Sequence, residues 1–279
     1  MLIWCAFHGR LGNNLFQYAA MVAAAARARR PVLLMDFSRL EAGATSRRLA
    51  RLDFVRLGLP GVIFPPLLNR MVLKASGRLA CECRLLPVLE DRDSPAVEQG
   101  LARSALLSGY FQHAALVERH AARLRETIWR RLSGFAQPPA GPESVAVHIR
   151  RGDYLNHPSR MVCGQEYFLC AMARLREALG HPRFHVFSDD PGWCRAHLSG
   201  ADVEMVNSKG PGDALADLAA MAGCRHQIIS NSSFSWWAGW LNPNPEKRVI
   251  CPDRWTTDGS EKLDSKLFPG CIPLRSATG

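Results

Sequence analysis

The chain has 279 residues, with 35 Lys and Arg against 25 Asp and Glu, so its formal net charge at neutral pH is +10. The apolar residue types make up 47% of it and the charged types 22%, the ordinary balance of a folded chain. This composition excludes an intrinsically disordered chain, a collagen-like repeat and a small disulfide-rich scaffold. The length is sufficient for one large domain or two modest ones.

The basic excess lies entirely in the first half. Residues 1–142 hold 20 basic and 10 acidic side chains, whereas residues 143–279 hold 15 of each. The arginines of the first half are scattered among Leu and Ala, as on solvated helix faces, and are not clustered as in nucleic-acid-binding arms. We therefore expect no nucleic-acid partner. A basic nucleic-acid-binding protein and a peripheral contact with an anionic membrane stay open as alternatives.

The nine cysteines include one close pair, Cys81 and Cys83, and no CxxC or Cys/His cluster with the spacing of metal ligands. We expect free, mostly buried thiols in a reducing compartment, and no metal site. The uncharged stretch Leu11–Ala26 is too short and too polar to span a bilayer, and no signal peptide precedes it. This predicts a cytoplasmic protein, with a position on the inner face of the cytoplasmic membrane as the alternative.

The first half begins with an alternation of strand and helix. The pattern predicts a strand, a glycine-containing turn, an Ala-rich helix and a second strand at Met1–Phe7, 8–14, Leu15–Arg29 and Val32–Met35. Pro31 ends the helix. Prolines interrupt residues 49–98, and a helical period returns at Val117–Leu132. The start is therefore an α/β unit.

A linker is predicted at Gln137–Pro142, which reads QPPAGP and separates two regions of different net charge. We place a domain boundary there. The chain then consists of an N-terminal α/β domain over 1–140 and a C-terminal Rossmann-like domain over 141–279.

The second half alternates strands and helices more clearly. Strands are predicted at Val145–Ile149, Phe184–Phe187, Gln227–Ser230 and Arg248–Cys251. Helices are predicted at Glu166–Leu179, Ala214–Ala222 and Trp236–Leu241. Asp213 is placed to cap the second helix and Gly223 to end it. This alternation predicts a parallel sheet covered by helices on both faces.

Polar clusters follow three of these strands, at the sheet edge where α/β proteins bind ligands. They are His148–Asp153, Asp189-Asp190 and Asn231–Phe234. Because successive strand residues point to opposite faces, His148 and Arg150 share a face. The planar guanidinium of Arg150 suits a diphosphate, to which it can donate two hydrogen bonds. The alternative is an exposed strand end with a surface ion pair.

The third cluster predicts an anion site at a helix start. There, the Ser232 and Ser233 hydroxyls and the backbone N–H groups lie at the positive end of the helix dipole. Simple capping of the helix by Ser233 or Ser235 is the alternative. The three tryptophans of this helix, Trp236, Trp237 and Trp240, are predicted to lie in the core.

The loop at 9–13 in the first half has neither a Walker sequence nor a GxGxxG dinucleotide turn. Arg10 and Asn13 in this loop could still reach a ligand. His8 is more typical of a structural histidine than of a base.

Five sequence blocks resemble the bacterial α-1,2-fucosyltransferases of glycosyltransferase family 11. They are GRLGNNLFQYA at 9–19, GYFQ at 109–112, VAVHIRRGDYL at 145–155, FSDDPGWC at 187–194 and CRHQIISNSSFSWWAGWLN at 224–242. Together they span nearly the whole chain, and HxRRGD combined with NSSFSWW is highly specific. Asn14 stands where Gln is commoner, and Ala238-Gly239 replaces the usual Gly-Ala, without affecting the assignment.

The resemblance implies an α/β, GT-B-like fold, with two Rossmann-type domains, the active site in the interdomain cleft and the N-terminal domain on the acceptor side. It implies inverting transfer of L-fucose from GDP-β-L-fucose to O2 of a terminal β-galactoside on an oligosaccharide, forming an α-1,2 linkage. No cofactor and no divalent metal would be required. The alternatives are a fucosyltransferase of different linkage or acceptor, such as a peptide O-fucosyltransferase, and an enzyme using another nucleotide sugar.

The resemblance also implies roles for individual residues. Arg150 would be the catalytic group that binds the diphosphate, and His148 and Asp217 would contact the nucleoside. Phosphate and base would be held by Ser232, Ser233 and Phe234. The other donor-binding candidates are Arg10, Asn13, Arg151, Asp189 and Asp190, of which the last two would fix the cleft edge or the ribose. Asp153 and His8 are candidate general bases, and Asp153 is equally a candidate for orienting Arg150 or Arg151.

Overall fold

The computed structural model describes residues 2–5, 7–27, 33–36, 53–63, 87–136, 141, 143–206 and 213–276. The chain divides into two compact units, Met1–Ile128 and Trp129–Gly279. Each unit contains one parallel β-sheet. Because 137–140 and 142 of the predicted linker lie outside the described residues, the boundary between 140 and 141 stays a prediction.

The N-terminal unit has a five-stranded sheet in the order β3-β2-β1-β5-β4, with every pair parallel. Its strands are β1 (Leu2–Cys5), β2 (Leu33–Asp36), β3 (Val62–Ile63), β4 (Val88–Leu89) and β5 (Ala105–Leu107). Its helices are α1 (Leu11–Ala24), α2 (Ser94–Glu98), α3 (Ala114–Glu118) and α4 (Ala121–Leu132), the last of which crosses the division between the units.

Helix α1 differs from its predicted range, since it begins at Leu11 instead of Leu15 and ends at Ala24. Gly9, at a φ of +83°, turns the chain before the helix, so that Gly12 and Asn13 fall in its first turn. The backbone N–H groups of a first turn have no partner within the helix, which makes weak helix formers acceptable there. Almost the whole helix is buried.

The C-terminal unit has a six-stranded, fully parallel sheet in the order β11-β10-β9-β6-β7-β8. Its strands are β6 (Ser144–Ile149), β7 (Arg183–Ser188), β8 (Val203–Met205), β9 (His226–Ile228), β10 (Val249–Pro252) and β11 (Cys271–Leu274). Its helices are α5 (Gln165–Leu179), α6 (Pro191–His197), α7 (Ala214–Gly223) and α8 (Ser233–Leu241). The predicted parallel sheet is confirmed, with the short edge strands β8 and β11 in addition.

Apolar side chains cover both faces of this sheet. On one face, Val145, Val147 and Ile149 of β6 pack with α5, including Phe168 and Met172. Helix α7 packs against β6 and against α8. The tryptophans of α8 are at most 1% exposed, which confirms their predicted place in the core.

The predicted start of α7 is confirmed, because Asp213 accepts a hydrogen bond from the backbone N–H of Ala216 at 3.3 Å. Helix α8 starts earlier than predicted, at Ser233. Its N-cap is Ser232, whose Oγ accepts from the backbone N–H of Phe234 at 3.3 Å. The alternative of Ser233 or Ser235 as the cap is therefore wrong. The Ser235 hydroxyl instead donates to backbone carbonyls of the preceding turn.

In the described part of the chain, no helix is long and apolar enough to cross a membrane. The seven cysteines of these ranges are free thiols, and five of them are buried. Cys81 and Cys83 lie outside the described residues.

Candidate functional site

The three polar clusters of the second half come together at one edge of the C-terminal sheet. Strand β6 lies between β7 and β9, and all three run parallel. The carboxyl ends of parallel strands meet at the same edge. His148–Asp153, Asp189-Asp190 and Asn231–Phe234, which stand at the ends of β6, β7 and β9, are therefore neighbours.

Arg150 forms ion pairs with two carboxylates. Its Nη1 lies 2.5 Å from Oδ2 of Asp189, and its Nη2 contacts Asp153. The arginine side chain is only 12% exposed, whereas that of Asp153 is 48% exposed. The guanidinium also lies over the ring of Tyr154, 5.5 Å from its centroid. Arg150 is thus a mostly buried cation, held in one position by two carboxylates that both reach solvent, Asp153 more than Asp189.

Asp189 also holds the loop that follows β6. Its Oδ1 accepts hydrogen bonds from the backbone N–H groups of Arg151, at 2.9 Å, and Gly152, at 3.2 Å. A Cβ at position 152 would lie 2.5 Å from Oδ2 of Asp189, closer than Cβ contacts occur, so any larger residue there would displace the carboxylate. The Asp189 carboxylate therefore fixes both the backbone of this loop and the guanidinium of Arg150.

Asp190 holds the Arg151 side chain in position. It accepts a hydrogen bond from Nε of Arg151 at 3.1 Å and, as the N-cap of α6, from the backbone N–H of Trp193 at 3.1 Å. The Arg151 guanidinium lies 4.2 Å from the centroid of the Trp193 ring. The hydrogen bond from Trp193 and the bond and charge of Arg151 lower the pKa of Asp190. Asp190 is therefore ionised at neutral pH and holds Arg151 against the tryptophan.

His148 is buried beside the start of α8. Its Nδ1 lies 3.0 Å from Oγ of Ser230, and its ring centroid lies 5.6 Å from that of Phe234. Burial, assisted by the charge of Arg150, lowers the pKa of His148 to about 3. The imidazole is therefore neutral at physiological pH, where it can exchange hydrogen bonds but carries no charge for a phosphate.

The remaining candidates of this unit are placed as follows. The Asn231 side chain donates to the carbonyls of Arg160 and Trp255, and the Tyr154 hydroxyl donates to the Asn231 carbonyl, so this loop is tied to the one after β6. Ser232 is the cap of α8, and Ser233 and Phe234 form its first turn, half-buried. Asp217 is half-buried in the first turn of α7.

A second group of polar loops lies at the carboxyl edge of the N-terminal sheet, where β1, β5 and β4 are successive neighbours. The rings of His8, after β1, and Tyr110, after β5, pack with their centroids 4.5 Å apart, and both residues are exposed. Nearby, Oδ1 of Asn13 accepts from Nε2 of Gln112 at 2.9 Å. Arg10 is exposed at the N-cap of α1.

The loop that carries Tyr110 is held by Asp91, which follows β4. Asp91 accepts hydrogen bonds from the backbone N–H groups of Tyr110, at 3.2 Å, and Phe111. A Cβ at Gly109 would lie 2.6 Å from Oδ2 of Asp91. Phe111 is fully buried at a φ of +52°, a left-handed conformation that costs a bulky residue about 1–3 kcal/mol.

The sequence pattern assigns no role to Asp91, Tyr110 or Gln17. Tyr110 lies in the block GYFQ at 109–112, which is distinguished only by its resemblance to the family. Asp91 lies where prolines obscure the pattern, so nothing local indicates its partner.

A sequence model of the family described as Glycosyl transferase family 11 matches residues 91–267, well over half of the chain. The chain is 28% identical over 271 residues to an alpha-1,2-colitosyltransferase of Escherichia coli, covering 88% of this chain and 90% of that protein. It is 33% identical over 125 residues to galactoside 2-alpha-L-fucosyltransferase Sec1 of Mus musculus, covering 42% of this chain and 34% of that protein.

Among solved structures, the fucosyltransferase NodZ from Bradyrhizobium superposes with a TM-score of 0.53 at 16% identity, covering 89% of this chain and 94% of that one. It has the GT-B fold. The predicted α/β, GT-B-like fold class is thereby confirmed.

Proposed function

Because this chain belongs to glycosyl transferase family 11, and is therefore a glycosyltransferase, we propose that it transfers L-fucose from GDP-β-L-fucose to O2 of a terminal β-galactoside. The reaction would invert the anomeric carbon, form an α-1,2 linkage and need no divalent metal. The observation that carries the proposal is Arg150, a mostly buried guanidinium held in position at the edge where β6, β7 and β9 end.

The diphosphate of the donor would bind at Arg150. Asp189 is the less exposed partner, at 27% against 48% for Asp153, and it also holds the loop backbone, so Asp153 is the partner that a phosphate oxygen would replace. Binding to a group that is already oriented avoids the entropy cost of ordering a flexible arginine. The backbone N–H groups at the start of α8 would add their partial positive charge, since His148 links β6 to Phe234 in the first turn of that helix.

The same groups account for the departure of GDP. As the bond between the fucosyl carbon and the phosphate oxygen breaks, negative charge develops on the β-phosphate. A guanidinium held in place by Asp189 stabilises this charge as it forms, without reorganisation of solvent. His148 and Asp217 would contact the nucleoside, where neutral His148 acts as a hydrogen-bonding group.

Inversion requires the galactoside O2 to attack from the face opposite to GDP, and its proton must pass to a base. Asp153 is the candidate on this edge because its carboxylate is exposed, but its ion pair with Arg150 lies on the side of the leaving diphosphate, so it would have to turn away from Arg150 to act as the base. Its other proposed role, as an orienting partner of Arg150, is the role that its ion pair supports directly. An Asp153→Asn variant separates the two. Loss of turnover with unchanged GDP affinity indicates a base, and changed GDP affinity indicates an orienting partner.

A second donor is favoured by one observation, the similarity of 88% of the chain to an alpha-1,2-colitosyltransferase. Colitose is L-fucose without its 3-hydroxyl group. A site that hydrogen-bonds this hydroxyl would reject the deoxy sugar by orders of magnitude, whereas an apolar pocket would accept both. The ratio of kcat/KM for GDP-fucose and GDP-colitose therefore decides between the two donors.

The test is transfer from GDP-fucose to lactose by the purified protein in the presence of EDTA, with linkage analysis of the product. We expect 2′-fucosyllactose. UDP and CMP sugars serve as donor controls, and a folded peptide serves as the alternative acceptor. Transfer only to the peptide, or only from another nucleotide sugar, would contradict the proposal. Activity that EDTA abolishes and Mg²⁺ restores would contradict metal independence.

A further inference from the structure

The exposed rings of His8 and Tyr110 form a second candidate ligand site, in the N-terminal unit. Tyr110 is 37% exposed and is the one aromatic residue among the exposed large hydrophobic side chains of the described ranges. The Gln17 amide contacts the His8 ring and the Gly109 carbonyl, and a hydrogen bond from Gln112 to Asn13 joins the Tyr110 loop to the start of α1. Ligand sites combine aromatic side chains with a few placed polar groups, and this pair offers both.

The exposure of Tyr110 is imposed by its loop. Asp91 binds the backbone N–H groups of residues 110 and 111, and Phe111 is buried in a left-handed conformation. Strained backbone at a bulky residue persists where the surroundings enforce it, and such positions cluster at ligand sites. The loop therefore buries one ring and holds the next one outward.

The side-chain amide of Gln17 determines the tautomer of His8. The side-chain oxygen of Gln17 faces the backbone N–H of His8 at 3.3 Å, a group that only donates. Its nitrogen faces the backbone carbonyl of Gly109 at 2.9 Å, a group that only accepts. Two backbone groups of unambiguous polarity thus determine which end of the amide is which.

With the amide so oriented, its second N–H donates to Nδ1 of His8, at 3.2 Å. Nδ1 is then an acceptor, and the proton of the neutral imidazole is on Nε2. A histidine in this form donates a hydrogen bond from Nε2. It cannot remove a proton through that atom.

We propose that the ring pair binds a neutral pyranoside, whose apolar face lies on the Tyr110 ring and one of whose oxygen atoms accepts a hydrogen bond from Nε2–H of His8. Since this sugar is taken to be the acceptor galactoside, the assignment rests on the proposed function. His8 is then a binding residue and not the general base. Asp91, through the backbone of 110 and 111, and Gln17, through Nδ1 of His8, are the positioning residues.

The tautomer is tested without any reaction. Long-range ¹H–¹⁵N correlation spectra of the imidazole groups are recorded for the wild type, and the His8 signals are assigned from their loss in His8→Gln. We expect Nε2 protonated and Nδ1 unprotonated in the neutral ring. Protonation on Nδ1 would overturn the assigned role.

Binding is tested by saturation-transfer NMR with methyl β-D-galactopyranoside. We expect Tyr110→Ala to weaken binding about tenfold, the loss of one stacked ring, and Tyr110→Phe to restore most of it. Leu169→Ala, which removes an exposed apolar side chain on α5, is the matched control and should bind as the wild type does. Equal affinity of the wild type and Tyr110→Ala would overturn the proposal.

Kinetics distinguish the acceptor from the donor sugar. We expect Tyr110→Ala to raise KM for lactose and leave KM for GDP-fucose unaltered, and the reverse would overturn the acceptor assignment. His8→Gln should lose no more than about tenfold in kcat/KM and keep the wild-type pH profile. A loss of about 10²–10⁴-fold together with the acidic limb of that profile is the signature of a base. Galactoside binding and the expected tautomer without any transfer would refute the proposed function while supporting this site.

Discussion

In the N-terminal unit, Asp91 accepts hydrogen bonds from two successive backbone N–H groups, those of Tyr110 and Phe111. In the C-terminal unit, Asp189 does the same for Arg151 and Gly152. Each aspartate follows the strand next to the one whose loop it holds. In each case a Cβ in place of a nearby glycine would displace the carboxylate.

The held loops carry different chemistry. The C-terminal loop bears two arginines, each paired with carboxylates and largely withdrawn from solvent. The N-terminal loop bears an exposed tyrosine ring beside a histidine and several amides. On the two proposed assignments, the same backbone arrangement holds both loops, and their side chains select an anion at one edge and a neutral sugar at the other.

The largest effect should come from removing the cation of the C-terminal edge. Arg150→Ala is expected to lower kcat/KM for transfer by about 10³-fold or more, because the developing phosphate charge loses its main partner. Stabilisation by GDP in thermal unfolding should vanish as well. Arg150→Lys keeps the charge but not the two-pronged hydrogen bonding, and should recover only part of the activity. Near-normal turnover in a folded Arg150→Ala variant would remove this residue from the mechanism.

Replacing the two aspartates one at a time tests whether the two edges serve different ligands. Asp189→Ala frees both the 151–152 backbone and Arg150, so we expect kcat/KM to fall about 10²-fold, with weaker GDP binding. Asp91→Ala frees the Tyr110 loop, so we expect weaker binding of the galactoside and unchanged affinity for GDP. Asp91→Asn keeps one of the two accepting oxygens and sets an NH2 group against the other backbone N–H, so it should recover only part of the binding. Identical effects of the two alanine variants on both ligands would show that the edges are not chemically distinct.

Substitution of Gly152 and Gly109 tests the same difference between the edges, with smaller expected effects than substitution of the aspartates. Gly152→Ala and Gly109→Ala each place a Cβ within 2.6 Å of a carboxylate oxygen. We expect each variant to lower the free energy of unfolding by about 1–3 kcal/mol, as overpacking does. The ligand whose binding weakens should differ, GDP for position 152 and the galactoside for position 109. Urea unfolding and ligand titration measure these effects, and unchanged stability in both would contradict the described contacts.

The two edges also differ in their histidines, since His148 is buried and His8 is exposed. The pKa of His148 is about 3 in the folded protein, against 6.5 for an unperturbed histidine such as that of an unfolded chain. Between these values the unfolded chain binds the extra proton, so the free energy of unfolding falls as the pH is lowered, by at most about 1.4 kcal/mol per pH unit.

His148→Gln should flatten this dependence between pH 6 and pH 4. His120, His185 and His226, whose pKa values are also lowered chiefly by burial, act in the same direction and remain in both proteins. The difference in slope between the variant and the wild type is therefore the quantity to measure. Parallel curves would show that His148 does not titrate as its burial requires.

The parts of the fold that can be predicted are those with a period long enough to recognise. Strands β6 and β7 have six residues each, and α5 has a full apolar face, so most of the second half is predictable, whereas the short edge strands β8 and β11 and the helix α6 are not. In the first half, β3, β4 and β5 have only two or three residues each. So short a run shows no alternation, and its place in the sheet depends on partners far along the chain.

Some features of the candidate site can also be predicted from the sequence, and others cannot. That Arg150, Asp189 and Ser232 stand at strand ends follows from local pattern and parallel topology. That the Asp189 carboxylate turns back onto residues 151 and 152 does not, because hydrogen bonds between positions so far apart leave no mark in one sequence. Gln17 and Gly109, 92 positions apart, show the same limit.

The exposed ion pair of Asp153 with Arg150 has a consequence for turnover. An arginine that carries its own tethered counter-ion is not left bare when the nucleotide departs, since the carboxylate can return as GDP leaves. In the proposed reaction, the returning carboxylate competes with GDP, whose β-phosphate carries the whole of the charge that developed as the bond broke. If the donor is GDP-fucose as proposed, such a tether would weaken inhibition by the product GDP.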